Sequence, residues 1–536
     1  MTTNEGNTAA PRPHAERRRF LVSMGILAGG ALVVRAAFLG CRMVLSGDEV
    51  HYAESLHRFM EGRFTEGFSD YWSFFYPFLA LPFGKIYGSA EPALRLLSVI
   101  CGGAVVVPCM LIARRLWGDR AALLAGILIA LHPSLIQFST AAMTESLSAL
   151  LVSTALYLLI RFLQDGGRWF FVAGGVVLGL AYLTRQEAQF ILALVVVVVL
   201  LAGAGTVPRG KRLVRAAVLA AFFIVTILPS VFLLRAKTGR WTGGSKASVN
   251  LSSPLIWEDG IERERYVYGL NESGTGRRID EIGRESVLAT LWRQRDAVVS
   301  RYFPNLTRGV ALLPNLLASP FLLLLVPLGL FGRGWRRGDR MIEFVLLLVG
   351  ILPFVLYAVF RIDFRYLVPF LPVYLLWGAR GCGVLVSWLR ENVSPRPILS
   401  VITLFVILAS LVPFTVRRYA LLAASQPVEY REIGRWIRDN GGGGAMILAP
   451  SGWSVGYYAG NPLATFIPWT DPDGLIRYAR YHRFEYLVLG TAYIEHARPA
   501  LEPLVREPEY PGFELIHTFT DRSGGEILLY RLGTTS

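Results

Sequence analysis

From Phe20 to about Val416 the chain is a succession of long apolar stretches separated by short polar turns, and beyond that the pattern stops. Stretches of this length read as bilayer-crossing helices, because about 20 helical residues span the hydrocarbon. Eleven spans are expected, near 20–45, 92–113, 121–136, 145–163, 169–184, 187–206, 214–235, 311–331, 341–360, 366–389 and 398–416. Residues 72–88 are aromatic and broken by proline, which places them as a re-entrant or interfacial segment. The first stretch follows Arg17, Arg18 and Arg19 as a signal peptide would. Arg35 and Arg42 interrupt it and more spans follow, so it reads as an uncleaved anchor.

After residue 416 the periodicity becomes that of a soluble fold. Pro427 to Asn440 reads as an amphipathic helix stopped by Gly441–Gly444. Ala445–Ala449 and Glu485–Gly490 read as strands, Asp471–His482 as a helix, and Phe513–Thr520 with Glu526–Leu532 as a hairpin around Ser523-Gly524-Gly525. The expected architecture is therefore a polytopic α-helical membrane protein with a C-terminal soluble α/β domain. Its parts are a tail at 1–19, a membrane domain at 20–416 with outer loops 46–91 and 236–310, and the terminal domain at 417–536. The second outer loop is polar and helix-prone and carries Tyr266, Tyr268 and several arginines.

Composition narrows the class. Hydrophobic residues make up 53% of the chain and charged ones 17%, against about 25% charged in an ordinary soluble domain. That excludes intrinsic disorder, and four cysteines in 536 residues exclude a disulfide scaffold. The net charge of +15 would fit nucleic acid only if it formed a solvated basic face. It is instead concentrated in alternate turns. With the N-terminus inside, the cytoplasmic segments are 1–19, 113–120, 161–168, 207–215, 333–340 and 380–397. They hold about 20 basic against about 6 acidic residues, as the positive-inside rule requires. The opposite loop 46–91 is acidic, with Asp48, Glu49, Glu54, Glu61, Glu66, Asp70 and Glu91. The charge reports orientation, and no nucleic-acid partner is expected.

Four polar clusters fall on the outer side, where ionisable groups beside a bilayer are costly and informative. Asp48 and Glu49, with His51 and Tyr52, fit an acid–base or metal site; Asp48 also fits the cap of a helix Glu49–Glu61. His132-Pro133 precedes Thr144-Glu145, and Glu145 at a helix start is also favoured by the helix dipole. Arg185 either holds an anionic group or pairs with Glu187. Arg361, Arg365 and Tyr366 oppose the positive-inside trend, and phosphate binding and headgroup anchoring both account for them. Together the clusters fit a reaction in which a carboxylate takes a proton from an acceptor while cations stabilise a leaving phosphate.

Gly47-Asp48-Glu49-Val50-His51-Tyr52-Ala53-Glu54 after a first span resembles the Asp-Glu motif of GT-C glycosyltransferases of the ArnT/protein O-mannosyltransferase-like type (families 39 and 83). Ala93-Leu94-Arg95-Leu96-Leu97-Ser98, His132-Pro133, Thr144-Glu145, Leu183-Thr184-Arg185-Gln186-Glu187 and Arg365-Tyr366 with Pro369 and Pro372 fit the same pattern over residues 15–390. The resemblance implies inverting transfer of a sugar from a polyprenyl-phosphate donor to a glycan, glycolipid or protein acceptor. It places the reaction at the extracytoplasmic face of a plasma (inner) membrane, with the terminal domain on that side. It makes Asp48 the base, with Glu49 and Glu145 as further catalytic carboxylates, and His51, Tyr52, Arg185, Arg361, Arg365 and Tyr366 the donor-phosphate residues.

No cofactor is required by this reading, although Asp48, Glu49 and Glu145 together would suit a divalent cation. Related ArnT-like enzymes often carry an arginine where His51 stands and Lys-Pro-Pro where this chain has Phe75-Tyr76-Pro77. The substitutes expected for those lost cations are His51, Lys85 or an arginine from 236–310. The rival readings are a polytopic transporter or flippase of a lipid-linked substrate, disfavoured by the lack of an internal repeat, and a membrane-anchored scaffold, for which eleven spans are excessive.

Overall fold

The computed structural model describes residues 13–167, 169–202, 207–246, 265, 267–276, 287–335, 337–461, 464–507 and 510–533. The first part of the N-terminal tail, Arg336 and Tyr266 lie outside them. Seven described helices are long and apolar enough to cross a membrane: His14–Cys41, Ala90–Trp117, Glu145–Asp165, Arg209–Thr238, Arg340–Ala358, Phe364–Asn392 and Pro397–Gly442. Two bent pairs raise the number to nine, and Trp169–Thr184 and Ala188–Leu201 are shorter apolar helices. These elements occupy the eleven places where spans were expected. Val22, Ile26 and Val33 of the first helix, and Ile224, Val225 and Phe232 of Arg209–Thr238, are exposed. Apolar side chains lined up on the outside of a helix bundle are the mark of a lipid-facing surface.

The bent pairs have local causes. Helix Asp119–Leu131 stops at His132, whose extended ψ of 124° is what a following proline imposes, and Pro133–Ser139 resumes at 54°. The fully buried Arg35 satisfies the break by donating to the carbonyls of Ile129 and Ala130 and to Ser139 Oγ. His132 is also buried; its Nδ1 accepts from Ser134 N and its Nε2 lies 3.1 Å from the carbonyl oxygen of Leu317, a structural role. The second pair, Arg295–Leu317 and Pro320–Phe331, bends by 110°. The expected span 311–331 is therefore shorter: residues up to Leu317 belong to the preceding helix, and the apolar helix begins at Pro320. It packs closely on Leu371–Asn392, since a Cβ on Gly329 or Gly381 would strike the facing backbone carbonyl at 1.9 or 2.0 Å.

The basic turns converge at one end of the bundle. There Arg115 pairs with Asp165, Arg380 pairs with Glu343, Gln164 reaches Asp339 and Arg114 lies over Phe20. The polar clusters of Asp48, Glu145 and Arg365 converge at the other. Residues 72–88 form the helix Phe75–Tyr87, which buries Tyr76, Pro77, Ala80 and Gly84 against neighbouring helices and leaves Phe78, Ile86 and Tyr87 outward.

The terminal domain begins later than expected, because the helix Leu411–Ala424 runs past residue 416 and the chain turns at Ser425–Pro427. Its sheet has strands β1 (Ile447–Ala449), β2 (Thr465–Phe466), β3 (Tyr486–Gly490), β4 (Phe513–Thr520) and β5 (Glu526–Leu532), in the order β2-β1-β3-β5-β4. The first three are mutually parallel and β5 joins β3 and β4 antiparallel. Both faces are covered. Ile433, Ile437 and Val455 pack with Ile447, Val488 and Leu529 on one side, and Leu475, Tyr478 and Ile494 with Leu487, Leu489 and Tyr530 on the other. This explains why β3 reads as a continuous apolar run instead of an alternating one. The helix Gly452–Ala459 and the strand β2 were not anticipated from sequence.

The domain is seated on the segment that leads to Asp48. Gln426 accepts from the backbone N–H groups of Met43 and Val44, Arg431 donates to the carbonyl of Met43, and Tyr458 and Ser454 bond the N–H and carbonyl of Leu45.

Candidate active site

Gly47 takes a positive φ of 56°, open to glycine without a Cβ penalty, and turns the chain into the helix Asp48–Met60. Asp48 is thus the first residue inside that helix and not its cap. Its side chain turns to the neighbouring elements: Oδ2 accepts from Arg365 Nη1 at 2.9 Å and Oδ1 from the indole N–H of Trp72 at 3.2 Å. Burial disfavours the charged form, but the guanidinium of Arg365, the ammonium of Lys246 and the Trp72 bond outweigh it and hold the carboxyl below its ordinary value of 3.8. The side chain is 18% exposed, and each oxygen keeps a second lone pair. Asp48 is thus a carboxylate acceptor held toward its ionised form, with a further lone pair on each oxygen.

Its neighbour Glu49 points elsewhere. Only 1% exposed, it accepts from the backbone N–H groups of Ser46 and Ala142 and lies 3.5 Å from Arg42. It ties the first outer loop to the start of the helix that carries Glu145. Glu145 is equally buried and pairs with Arg185 at 3.2 Å; Arg185 also contacts Glu187 at 3.4 Å and the Tyr357 hydroxyl at 3.2 Å. Tyr357 donates to Glu187 at 2.5 Å. One guanidinium is thus shared by two carboxylates.

Arg185, Glu187 and Tyr357 line a cavity of about 730 Å³. Tyr52, Trp72, Arg185, Gln186, Lys246, Arg361 and Tyr366 form its polar wall, and Phe190, Leu234, Leu291, Leu356 and Phe360 an apolar one. Tyr52 is buried between Asp48 and Glu145, and burial pushes its hydroxyl well above its usual range, so it remains a proton donor. Tyr366 stacks on Tyr357 at 4.7 Å, with the guanidinium of Arg365 5.1 Å from its ring.

The fold gathers most of the expected residues but gives them unequal roles. Tyr52, Arg185, Arg361 and Tyr366 line one space, and Asp48 and Arg365 adjoin it through the lining residues Trp72 and Tyr366 to which they are bonded. His51 does not line it: it stacks on Trp72 at 3.6 Å and meets Trp453 of the terminal domain edge-on at 4.3 Å. Asp48, Glu49 and Glu145 face different partners: the oxygens of Glu49 accept from backbone amides, Glu145 Oε1 pairs with Arg185, and Asp48 pairs with Arg365. Among the described residues no three His, Cys, Asp or Glu side chains are grouped to hold a metal. Lys85 is exposed on the helix Phe75–Tyr87, away from the cavity. The residues that sequence reasoning missed are Trp72 and Lys246. Trp72 sits in an aromatic stretch read only as interfacial, and Lys246 in a loop with no periodicity.

Comparison with known proteins bears on the fold. Residues 73–231 match the family described as dolichyl-phosphate-mannose-protein mannosyltransferase. The sequence matches no curated protein. Among solved structures, the oligosaccharyltransferase AglB of Archaeoglobus fulgidus, complexed with an inhibitory peptide and a dolichol-phosphate, superposes with a TM-score of 0.59 at 16% identity. The match covers 96% of this chain and 74% of that one. ArnT of Cupriavidus metallidurans bound to undecaprenyl phosphate superposes with a TM-score of 0.56 at 15% identity, covering 94% and 97%.

The chain has the GT-C glycosyltransferase fold. Within this GT-C fold the family match takes in Glu145, Arg185 and Glu187 but stops short of Asp48, Lys246 and Arg365. The Arg185 cluster is thus inside the matched segment, and the Asp48–Arg365 pair lies outside it.

Proposed function

We propose that this protein is a membrane glycosyltransferase that moves a sugar from a polyprenyl-phosphate donor to a hydroxyl or amine of a glycan, lipid or protein acceptor, at the extracytoplasmic face. The observation that carries the reading is a cavity lined by Arg185, Lys246 and Arg361 as well as by apolar side chains, with the carboxylate of Asp48 bonded to its lining residue Trp72 and paired with Arg365. An amphiphilic donor suits such a cavity, with its isoprenoid along Phe190, Leu234 and Leu291 and its phosphate toward the cations. The ligands of the two structural neighbours, a dolichol-phosphate and an undecaprenyl phosphate, support that choice of donor.

In the proposed reaction the acceptor's O–H or N–H proton passes to Asp48 while the acceptor atom attacks the anomeric carbon. The bond from that carbon to the phosphate oxygen breaks on the opposite face, and the lipid phosphate leaves with the electron pair. The anomeric configuration inverts. Arg365 and Trp72 fix the direction in which Asp48 offers its free lone pairs. The distribution of basic turns supports an inner-membrane location with a cytoplasmic N-terminus and an extracytoplasmic terminal domain.

The experiment is transfer by the reconstituted full-length protein with radiolabelled undecaprenyl-phosphate sugars and a membrane extract as acceptor source. Asp48→Asn keeps the shape and an acceptor for Trp72 but removes the base, and lowers the rate by about 10²–10⁴-fold. Near wild-type transfer by that variant, in protein of unchanged thermal stability, excludes Asp48 as the base.

A further inference from the structure

The cations of the cavity are not equally available to a ligand. Arg185 lies within ion-pair distance of both Glu145 and Glu187, and Arg365 is engaged by Asp48. A phosphate reaching Arg185 would compete with two carboxylates, and one reaching Arg365 would compete with Asp48. Arg361 lines the cavity but has further interactions of its own. Lys246 is different. It lines the same cavity, it has no carboxylate within ion-pair distance among the described residues, and its ammonium lies 5.5 Å from the centre of the Tyr71 ring.

Its position is built and not incidental. Ser245 N donates to the Asp70 carbonyl at 2.7 Å, and the Gly243 carbonyl accepts from Gln186 Nε2 at 2.9 Å and from the Tyr182 hydroxyl at 3.5 Å. The segment 243–246 is therefore clipped between the first outer loop on one side and the turn carrying Arg185 on the other. From there the charge of Lys246 is felt by both Asp48 and Glu187. The Tyr71 ring holds the ammonium without neutralising it.

We propose that Lys246 is the phosphate-binding cation of this cavity, and that its ligand is a lipid-borne phosphate whose tail runs along the apolar wall. The assignment rests on the glycosyltransferase reading and makes it specific: the loop 236–310 supplies the phosphate contact, and Arg185 serves to hold Glu145 and Glu187 in place. A compact ammonium suits this task, since it meets a phosphate oxygen as a point charge from any direction and needs no planar fork.

The test is binding of undecaprenyl phosphate, with undecaprenol as the uncharged control and inorganic phosphate as competitor, to the full-length protein in nanodiscs, read by native mass spectrometry. Wild type binds undecaprenyl phosphate at least about tenfold more tightly than undecaprenol, and inorganic phosphate does not displace it. Lys246→Gln loses that preference, Lys246→Arg retains most of it, and both keep the wild-type melting temperature. Full preference in Lys246→Gln overturns the assignment while leaving the glycosyltransferase reading intact. No preference in wild type overturns the glycosyltransferase reading itself. Displacement by inorganic phosphate at similar concentration overturns the lipid source.

Discussion

The two carboxylate–arginine groups of this protein use the same residue types under different conditions. Asp48 and Arg365 form a single pair, 18% and 28% exposed. Glu145, Arg185 and Glu187 are packed together with Tyr357, with Glu145 1% and Glu187 24% exposed. A charged residue near a membrane protein's outer surface is therefore not evidence of chemistry in itself. What distinguishes the two groups is that one guanidinium answers to two carboxylates in the second and to a single one in the first.

The comparison breaks most readily at Arg185. Arg185→Met leaves the buried Glu145 and the partly buried Glu187 without their shared cation and destabilises the fold by about 3–5 kcal/mol, in line with removal of one partner of a buried ion pair. Thermal unfolding in detergent measures it, and adding Glu145→Gln recovers part of the loss. A stability change under about 1 kcal/mol would place Arg185 with the exposed pairs.

Next in size is Glu49, adjacent in sequence to the proposed base Asp48. Glu49→Ala removes the acceptor of two backbone N–H groups and costs about 1.5–3 kcal/mol, the range for hydrogen bonds to a charged group. Transfer by the protein that remains folded proceeds, because Asp48 is untouched. A selective loss of transfer without loss of stability would return Glu49 to the chemistry.

Arg365 sharpens the contrast through pH. The folded-state pKa of Asp48 lies below 3.8, so its interactions contribute stability that is fully present above that value and is lost as pH falls through the lowered pKa. The acid limb of kcat/KM attributable to Asp48 therefore lies below pH 3.8. Arg365→Gln removes the main opposing charge while burial remains, so that limb moves to higher pH. A pH–rate profile that does not move separates Arg365 from the ionisation of Asp48. The smallest effect is expected at Gly47, where alanine at a φ of 56° costs about 1 kcal/mol and shifts the entry of the helix carrying Asp48.

Much of the architecture was legible because it is written in short-range patterns. Hydrophobic runs marked each apolar helix, and the hairpin of β4 and β5 has the expected limits because its alternating residues flank a glycine turn. The elements misjudged are those whose limits come from elsewhere in the chain. Residues 311–317 are apolar enough to read as the start of a span, yet Ala318 and Pro320 break the helix and turn it by 110°. The terminal domain's helix Gly452–Ala459 is glycine-rich and made regular by packing on Val428–Ile437 and by its bonds to Leu45.

The candidate site divides along the same line. By itself the sequence determined that Asp48, Glu145, Arg185 and Arg365 lie near one end of a helical bundle, since span periodicity and charge alternation fix which turns share a side. Only the tertiary structure decided that Asp48 pairs with Arg365 and Trp72, that Glu49 is a brace, and that Lys246 is a cavity cation with no carboxylate within ion-pair distance among the described residues. Successive residues on a helix point about 100° apart, so two adjacent carboxylates face different surroundings. Which of those surroundings is a cavity and which a backbone amide depends on residues as distant in sequence as Ala142, Lys246 and Arg365.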